Sequence, residues 1–325
     1  MQARFHKFVR FLPAAIVFVV LASCEELPDA ASTHEPRGLT GLRPDLVSVA
    51  PGEMQSPVRI AQDKQGRLYV SDYQSQSVVM LDAGGGGVFV AAAFTVPGNP
   101  LGIEWAKGNL LLVGNATTRT VDVYRTTNGK WFYSLGGVGA IGDPSDIAAD
   151  SDRDLAFVVD GEAFAVKVFD LRNGALLYTI SGPGPGSYYL QNPTAIALDP
   201  SRGEVLVSDF GDPAVSGSPP SVKIYTYEGD HVKTLSGKSG MLGQKFSRPQ
   251  GLAVDALGRI LLVDAVAGEV LVLDRQTGNV LETYGTLGSG PGELWLPLDL
   301  VVDDNQMLYV TNNRPRRVEV FSLGG

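Results

Sequence analysis

Cysteine is almost absent: Cys24 is the only one in 325 residues. A lone thiol excludes an intrachain disulfide and any cysteine metal cluster. Histidine is nearly as scarce, and only His34 and His231 lie beyond residue 24. Two histidines cannot build a three-histidine zinc centre. Charged residues make up 19% of the chain, and no long stretch after residue 24 has the apolar spacing of an amphipathic helix. What is plentiful is glycine, 39 residues, well above the usual share of roughly 7%. This composition describes a turn-dense β-protein, and the length allows one large all-β domain.

Residues 248–285 hold four short runs of strand length, 251–255, 259–264, 269–274 and 280–284. Each run is rich in Val and Leu and stops at turn residues such as Gly258 and Gly278. Apolar residues occupy both parities, so both faces of this meander must be covered by neighbours. Neighbours exist. A proline followed by the same pattern recurs at Pro57, Pro100, Pro144, Pro193, Pro249 and Pro297. Each copy continues into a second strand ending in Asp or Asn (Asp72, Asn115, Asp160, Asp209, Asp264, Asn312) and then a third; most show a fourth. Six such units predict an all-β, six-bladed β-propeller of four-stranded antiparallel blades. The sixth copy ends after its third strand. Residues 46–50 read as the missing fourth strand, followed by Pro51-Gly52-Glu53-Met54, which parallels Pro291-Gly292-Glu293-Leu294. That N-terminal strand is expected to complete the last blade and close the ring, which removes free sheet edges.

The copies resemble NHL repeats. Copies five (RPQGLAVDALGRILLVDA) and six (MLYVTNNRPRRVEVF) carry the pattern best, and residues 285–296 resemble the family's Gly-rich linker. The resemblance covers residues 45–322 and implies the propeller fold. It implies no single activity, because propellers host many.

The N-terminus reads separately. Arg4, Lys7 and Arg10 precede an apolar run over 11–21, too short to span a bilayer, which takes about 20 residues, and suited to a signal peptide. It ends Leu21-Ala22-Ser23-Cys24, which resembles the lipobox of bacterial lipoproteins and implies a diacylglycerol on Cys24. The expected division is a signal peptide over 1–23, a lipidated Cys24 with a flexible tether over 24–42, and the propeller over 43–325. Glu25 in place of Asp leans toward the outer membrane of the cell envelope. Loss of three cations with the signal leaves 23 Lys and Arg against 35 Asp and Glu, a net of −12. Such an acidic chain is a poor partner for nucleic acid.

Loop lengths point to one face. The turns between strands one and two and between three and four are uniformly short. The other end carries the linkers 181–192, 237–248 and 285–296 and the loop 210–220. Variable loops on a rigid scaffold are the usual place for binding, so a protein or extended ligand is expected there. Tyr188, Tyr189 and Trp295 are the candidate contacts, with packing on neighbouring loops as the equal alternative. Arg314 and Arg316 belong to the only basic cluster, with Arg317. Two residues after the repeat proline stand Arg59, Asp146 and Asp299, expected near the axis. They read as a polar or cation site or, with more weight, as an inter-blade ion pair of Arg59 with Asp299, since blades one and six are adjacent. No catalytic residue, metal ligand set or cofactor is expected. The resemblance to propeller enzymes is limited: the peptidyl-hydroxyglycine lyases need zinc-binding histidines that this chain lacks. Glu104 and Asp146 alone imitate the axial cation ligands of gluconolactonase-like propellers. A metal-dependent hydrolase or lyase therefore stands as the alternative to a binding scaffold.

Overall fold

The fifth repeat folds as its pattern requires. Strands Pro249–Val254, Ile260–Asp264, Glu269–Leu273 and Val280–Tyr284 pair antiparallel in sequence order. Ile260–Asp264 is buried at every position, whereas Val280–Tyr284 is exposed at its first four. The mixed apolar parity therefore marks the inner strands, and the outermost strand forms the rim. The computed structural model describes residues 54–323 except 85–86, 183, 185, 187, 213–217 and 240–242. Blades one to five each have four strands in simple meander order. The sixth has three described strands, Pro297–Val302, Met307–Asn312 and Arg317–Ser322. The expected completing strand at 46–50 lies outside the described residues. Blade one, whose outer strand is the least regular in sequence, has it at Gly87–Thr95.

The fold is a six-bladed β-propeller. Each innermost strand lies against that of the next blade, and Pro297–Val302 returns to Pro57–Gln62. The Thr311 hydroxyl donates to the Val58 carbonyl at 2.9 Å, and Asn313 Nδ2 to the Pro57 carbonyl at 3.0 Å, joining last blade to first. The hydrophobic core is six clusters, each shared by two adjacent blades. One joins Phe157, Val166 and Val168 of blade three to Ile196, Val205 and Tyr225 of blade four. At roughly 1.5–3 kcal/mol per buried aliphatic or aromatic side chain, these faces hold the ring together, and no blade could cover its own two faces alone.

The linkers are pinned rather than loose. Met54, Ile141, Leu190, Phe246 and Leu294, each three residues before the repeat proline, are all buried, as packing plugs should be. The Asp that ends strand two does more than cap its own turn. Asp264 accepts the linker amides of Ser247 (2.6 Å) and Arg248 (3.2 Å) as well as the turn amide of Val266 (3.2 Å). Asp72, Asp160 and Asp209 grip the linkers before blades one, three and four in the same way. In blade four the buried Lys223 ammonium completes the clamp, 2.5 Å from Asp209 Oδ2. At the opposite face the strand-one carboxylates cap the short turns, as Asp255 does for the Leu257 and Arg259 amides.

Candidate functional site

Each innermost strand carries a register shift just after its proline. A bulge there re-aims the following side chain. Read around the ring, the position two after the proline is Arg59, Gly102, Asp146, Ala195, Gly251 and Asp299. The structure brings the three charged members of this row together. Arg59 Nε lies 3.6 Å from Asp146 Oδ1, and Nη1 lies 3.5 Å from Asp299 Oδ1. The same guanidinium donates to backbone carbonyls of three other blades: Nε to Ser145 (3.1 Å), Nη1 to Leu298 (3.2 Å) and Nη2 to Thr194. One side chain thus crosses the axis, and it is only 4% exposed. The sequence expectation of a pair between adjacent blades one and six is half of this arrangement. Its other half, with blade three, requires the side chain to span the ring, which a one-dimensional repeat does not display.

The two aspartates are also structural staples. Asp146 Oδ2 accepts the Ile196 amide at 2.9 Å, and Asp299 Oδ2 accepts the Ile60 amide at 3.0 Å. Each ties its blade to the next. The preceding blades carry glycine at the same level because nothing larger fits. A Cβ on Gly102 would lie 2.8 Å from Asp146 Cα, and one on Gly251 would lie 2.5 Å from Asp299 Cα. The row is therefore glycine then aspartate, twice, three blades apart. Sequence reasoning missed these glycines, although that spacing was the signal for them.

Asp146 and Asp299 form the floor of an axial cavity of about 280 Å³. Its walls are Ile60, Ile103, Ile147, Ile196, Leu252 and Leu300, and they continue to Gln62, Ala149, Pro200 and Val254 near the short turns. Arg59 spans the axis at the end nearer the linkers, and the cavity extends from there toward the short-turn face. Glu104 stands in its wall, half-buried, its carboxyl surrounded by protein except where the cavity reaches it. Burial pushes the Glu104 carboxyl well above the ordinary range, and the charges of Asp146 and Asp299 add to this. Burial also raises Asp146 against the pull of Arg59. Asp299 is pushed up to about 7 by burial, with Arg59 opposing and Asp146 assisting. One guanidinium thus serves two carboxyls, Asp146 and Asp299. Its donors are directed at protein acceptors, which makes it a keystone rather than an open anion receptor. Among the described residues no group of three or more His, Cys, Asp or Glu is disposed to hold a metal ion.

The remaining candidates fall into two separate places. Tyr188 and Tyr189 stack at 4.4 Å between ring centroids in the linker from blade three to blade four. Their backbone carbonyls are held by the Tyr225 hydroxyl (2.6 Å) and the Lys223 ammonium (2.5 Å). The Tyr188 ring centroid lies 6.2 Å from that of His231, the first residue of the outer strand of blade four beside its short turn. Burial and the Lys223 charge lower the His231 pKa. The tyrosine pair therefore hangs down the flank of blade four instead of crowning the linker face.

Trp295 is half-exposed in the linker from blade five to blade six. Its amide is held by Asn312 Oδ1 at 2.8 Å, and its carbonyl accepts the Arg314 amide at 3.1 Å. Arg314 and Arg316 are exposed beside it, and Arg316 takes a left-handed φ of 67°. Arg317 is different: it pairs with the buried Glu319 and donates to the Gly290 carbonyl at 2.5 Å. The basic cluster thus divides into one structural arginine and two free to face solvent.

With this geometry in view, comparison with known proteins is informative about fold. No family model matches the chain. It is 27% identical over 147 residues to Protein brain tumor of Drosophila melanogaster, covering 45% of this chain and 13% of that one. It is 29% identical over 103 residues to Low-density lipoprotein receptor-related protein 1 of Pyricularia oryzae, covering 32% of this chain and 33% of that one. The chain spans a third or less of either curated relative's length. Among solved structures, Kuenenia stuttgartiensis hydrazine synthase aligns with a TM-score of 0.57 at 19% identity, over 82% of this chain and 77% of that one. That likeness concerns the propeller fold alone.

Proposed function

We propose that the chain is a lipid-anchored binding or scaffold propeller of the bacterial cell envelope, which meets a protein or extended ligand through its linker face. The propeller fold and the NHL-like repeats are compatible with protein binding. The observation that carries the reading is the pairing of half-exposed Trp295 with exposed Arg314 and Arg316 on a linker whose backbone is fixed by Asn312. A rigidly mounted aromatic beside free guanidinium groups is the composition of an interface anchor. The guanidiniums favour an acidic partner segment. Anchoring rests on the lone Cys24 at the end of the apolar run 11–21.

The alternative of an axial metal-dependent hydrolase or lyase has less support. Arg59 already occupies the space between Asp146 and Asp299, and a metal ion there would have to displace it. Two measurements test the proposal. Cys24→Ala should move the chain from the membrane to the soluble fraction, and retention would refute the anchor. Trp295→Ala with Arg314→Glu should abolish a partner complex captured by the wild-type chain, and unchanged capture would refute the interface.

A further inference from the structure

Exposed aromatic and apolar side chains line the outer strands of blades one to three. The outer strands start at the short-turn face, and there they carry Phe89 (64% exposed) in blade one and Trp131 (60%) and Phe132 in blade two. Leu176, Leu177 and Tyr178 follow in blade three. These three rims are continuous. The turn of blade two sets Gly129 against Phe94 of blade one, and that of blade three sets Gly174 against the Ser134 carbonyl of blade two. The Tyr133 hydroxyl then donates to the Leu171 carbonyl across the same seam. The outer strands Gly87–Thr95, Lys130–Leu135 and Leu176–Ile180 contain no acidic residue and one lysine. Arg125 lies over the Phe132 ring at 4.0 Å. In a chain of net charge −9, these outer strands are an acid-free aromatic strip flanked by Lys130 and Arg125, with one exposed acid, Asp82, paired opposite Phe89.

We propose that the rim of blades one to three rests on the lipid bilayer, with Phe89, Trp131 and Phe132 in the headgroup region. The proposal builds on the anchoring reading above and adds which surface faces the lipid. Aromatic residues with flanking Lys or Arg are the side chains that settle at a membrane interface. The strip is also the part of an acidic chain that an anionic headgroup layer repels least. The described chain begins at Met54, buried between blades one and six. The expected tether after Cys24, residues 25–42, reaches at most about 60 Å when extended. Anchoring through such a tether gives a high effective concentration at the surface, so a modest patch is enough to dock.

The test uses the full lipid-bearing chain in vesicles of phosphatidylethanolamine and phosphatidylglycerol with brominated acyl chains. Trp105→Phe with Trp295→Phe leaves Trp131 as sole reporter. The expected result is loss of Trp131 emission to the brominated lipid and protection from aqueous iodide. Adding Phe89→Ser and Phe132→Ser should reverse both changes while the chain still sediments with vesicles. A chain that sediments while Trp131 stays open to iodide and untouched by brominated lipid overturns the docking and leaves the anchor standing. A chain that sediments no better than its Cys24→Ser variant overturns the anchor, and the docking with it.

Discussion

Replacing Asp299 by Asn should flatten the pH dependence of stability. Asp299 is 5% exposed and has its carboxyl raised to about 7, whereas an unfolded Asp titrates near 4. Between those values the folded chain keeps a proton that the unfolded chain has lost. Stability is therefore full below about pH 4 and falls as the pH rises through about 7. A shift of about three pKa units corresponds to a loss of about 4 kcal/mol across that window. Asp146 and Glu104 are raised too and contribute slopes of the same sign. Acids held low, such as Asp160 with its Lys167 partner, act in the opposite sense and lose their contribution only in acid. Comparison of wild type with Asp299→Asn cancels the contribution of distant acids such as Asp160, while Asp146 and Glu104 lose a negative neighbour and titrate lower in the variant. Asparagine keeps an oxygen for the Ile60 amide and leaves Arg59 paired with Asp146 alone. Urea unfolding followed by circular dichroism from about pH 4 to about pH 8 should show the variant gaining on wild type by roughly 4 kcal/mol. Parallel curves would refute the buried, under-compensated carboxylate.

Arg59→Met leaves Asp146 and Asp299 without their cation and should destabilise the chain by about 3–5 kcal/mol near neutral pH, with a smaller deficit near pH 5. An equal deficit at both pH values, in the same unfolding assay, would contradict the charge argument. Gly251→Ala brings a Cβ to 2.5 Å from Asp299 Cα and should cost roughly 1–3 kcal/mol by overpacking, read as a lowered thermal midpoint. Asp264→Ala should raise hydrogen exchange at the Ser247 and Arg248 amides, since a buried donor that loses its acceptor costs about 1–3 kcal/mol. Unchanged exchange would show that other groups hold this linker.

Much of the fold was legible because a propeller repeats its instructions. The proline, the Val-rich inner strands and the terminal Asp or Asn recur six times, so chance matches average out, and strand bounds in blade five fall within two residues of those read from the pattern. The functional features are single-copy and gain nothing from repetition. Arg59, Asp146 and Asp299 stood out as charges in a row of small residues, but their convergence depends on a side chain that crosses the axis. Tyr188, Tyr189 and Trp295 were placed on one face by loop length. Only the contacts of Tyr188 with His231 and of Trp295 with Arg314 separate a flank from a face. The double role of the strand-two Asp was hidden because its linker partners are backbone amides, which the sequence does not distinguish.

Site-specific photocrosslinking from the linker face tests the binding account most directly. A photoreactive residue at position 295, in the full chain in its native membrane, should yield one partner adduct that Arg314→Glu removes. The same probe at Leu257, exposed in a short turn of blade five on the opposite face, should yield none. Adducts from position 257 with none from 295, or adducts at 295 indifferent to Arg314→Glu, would contradict it.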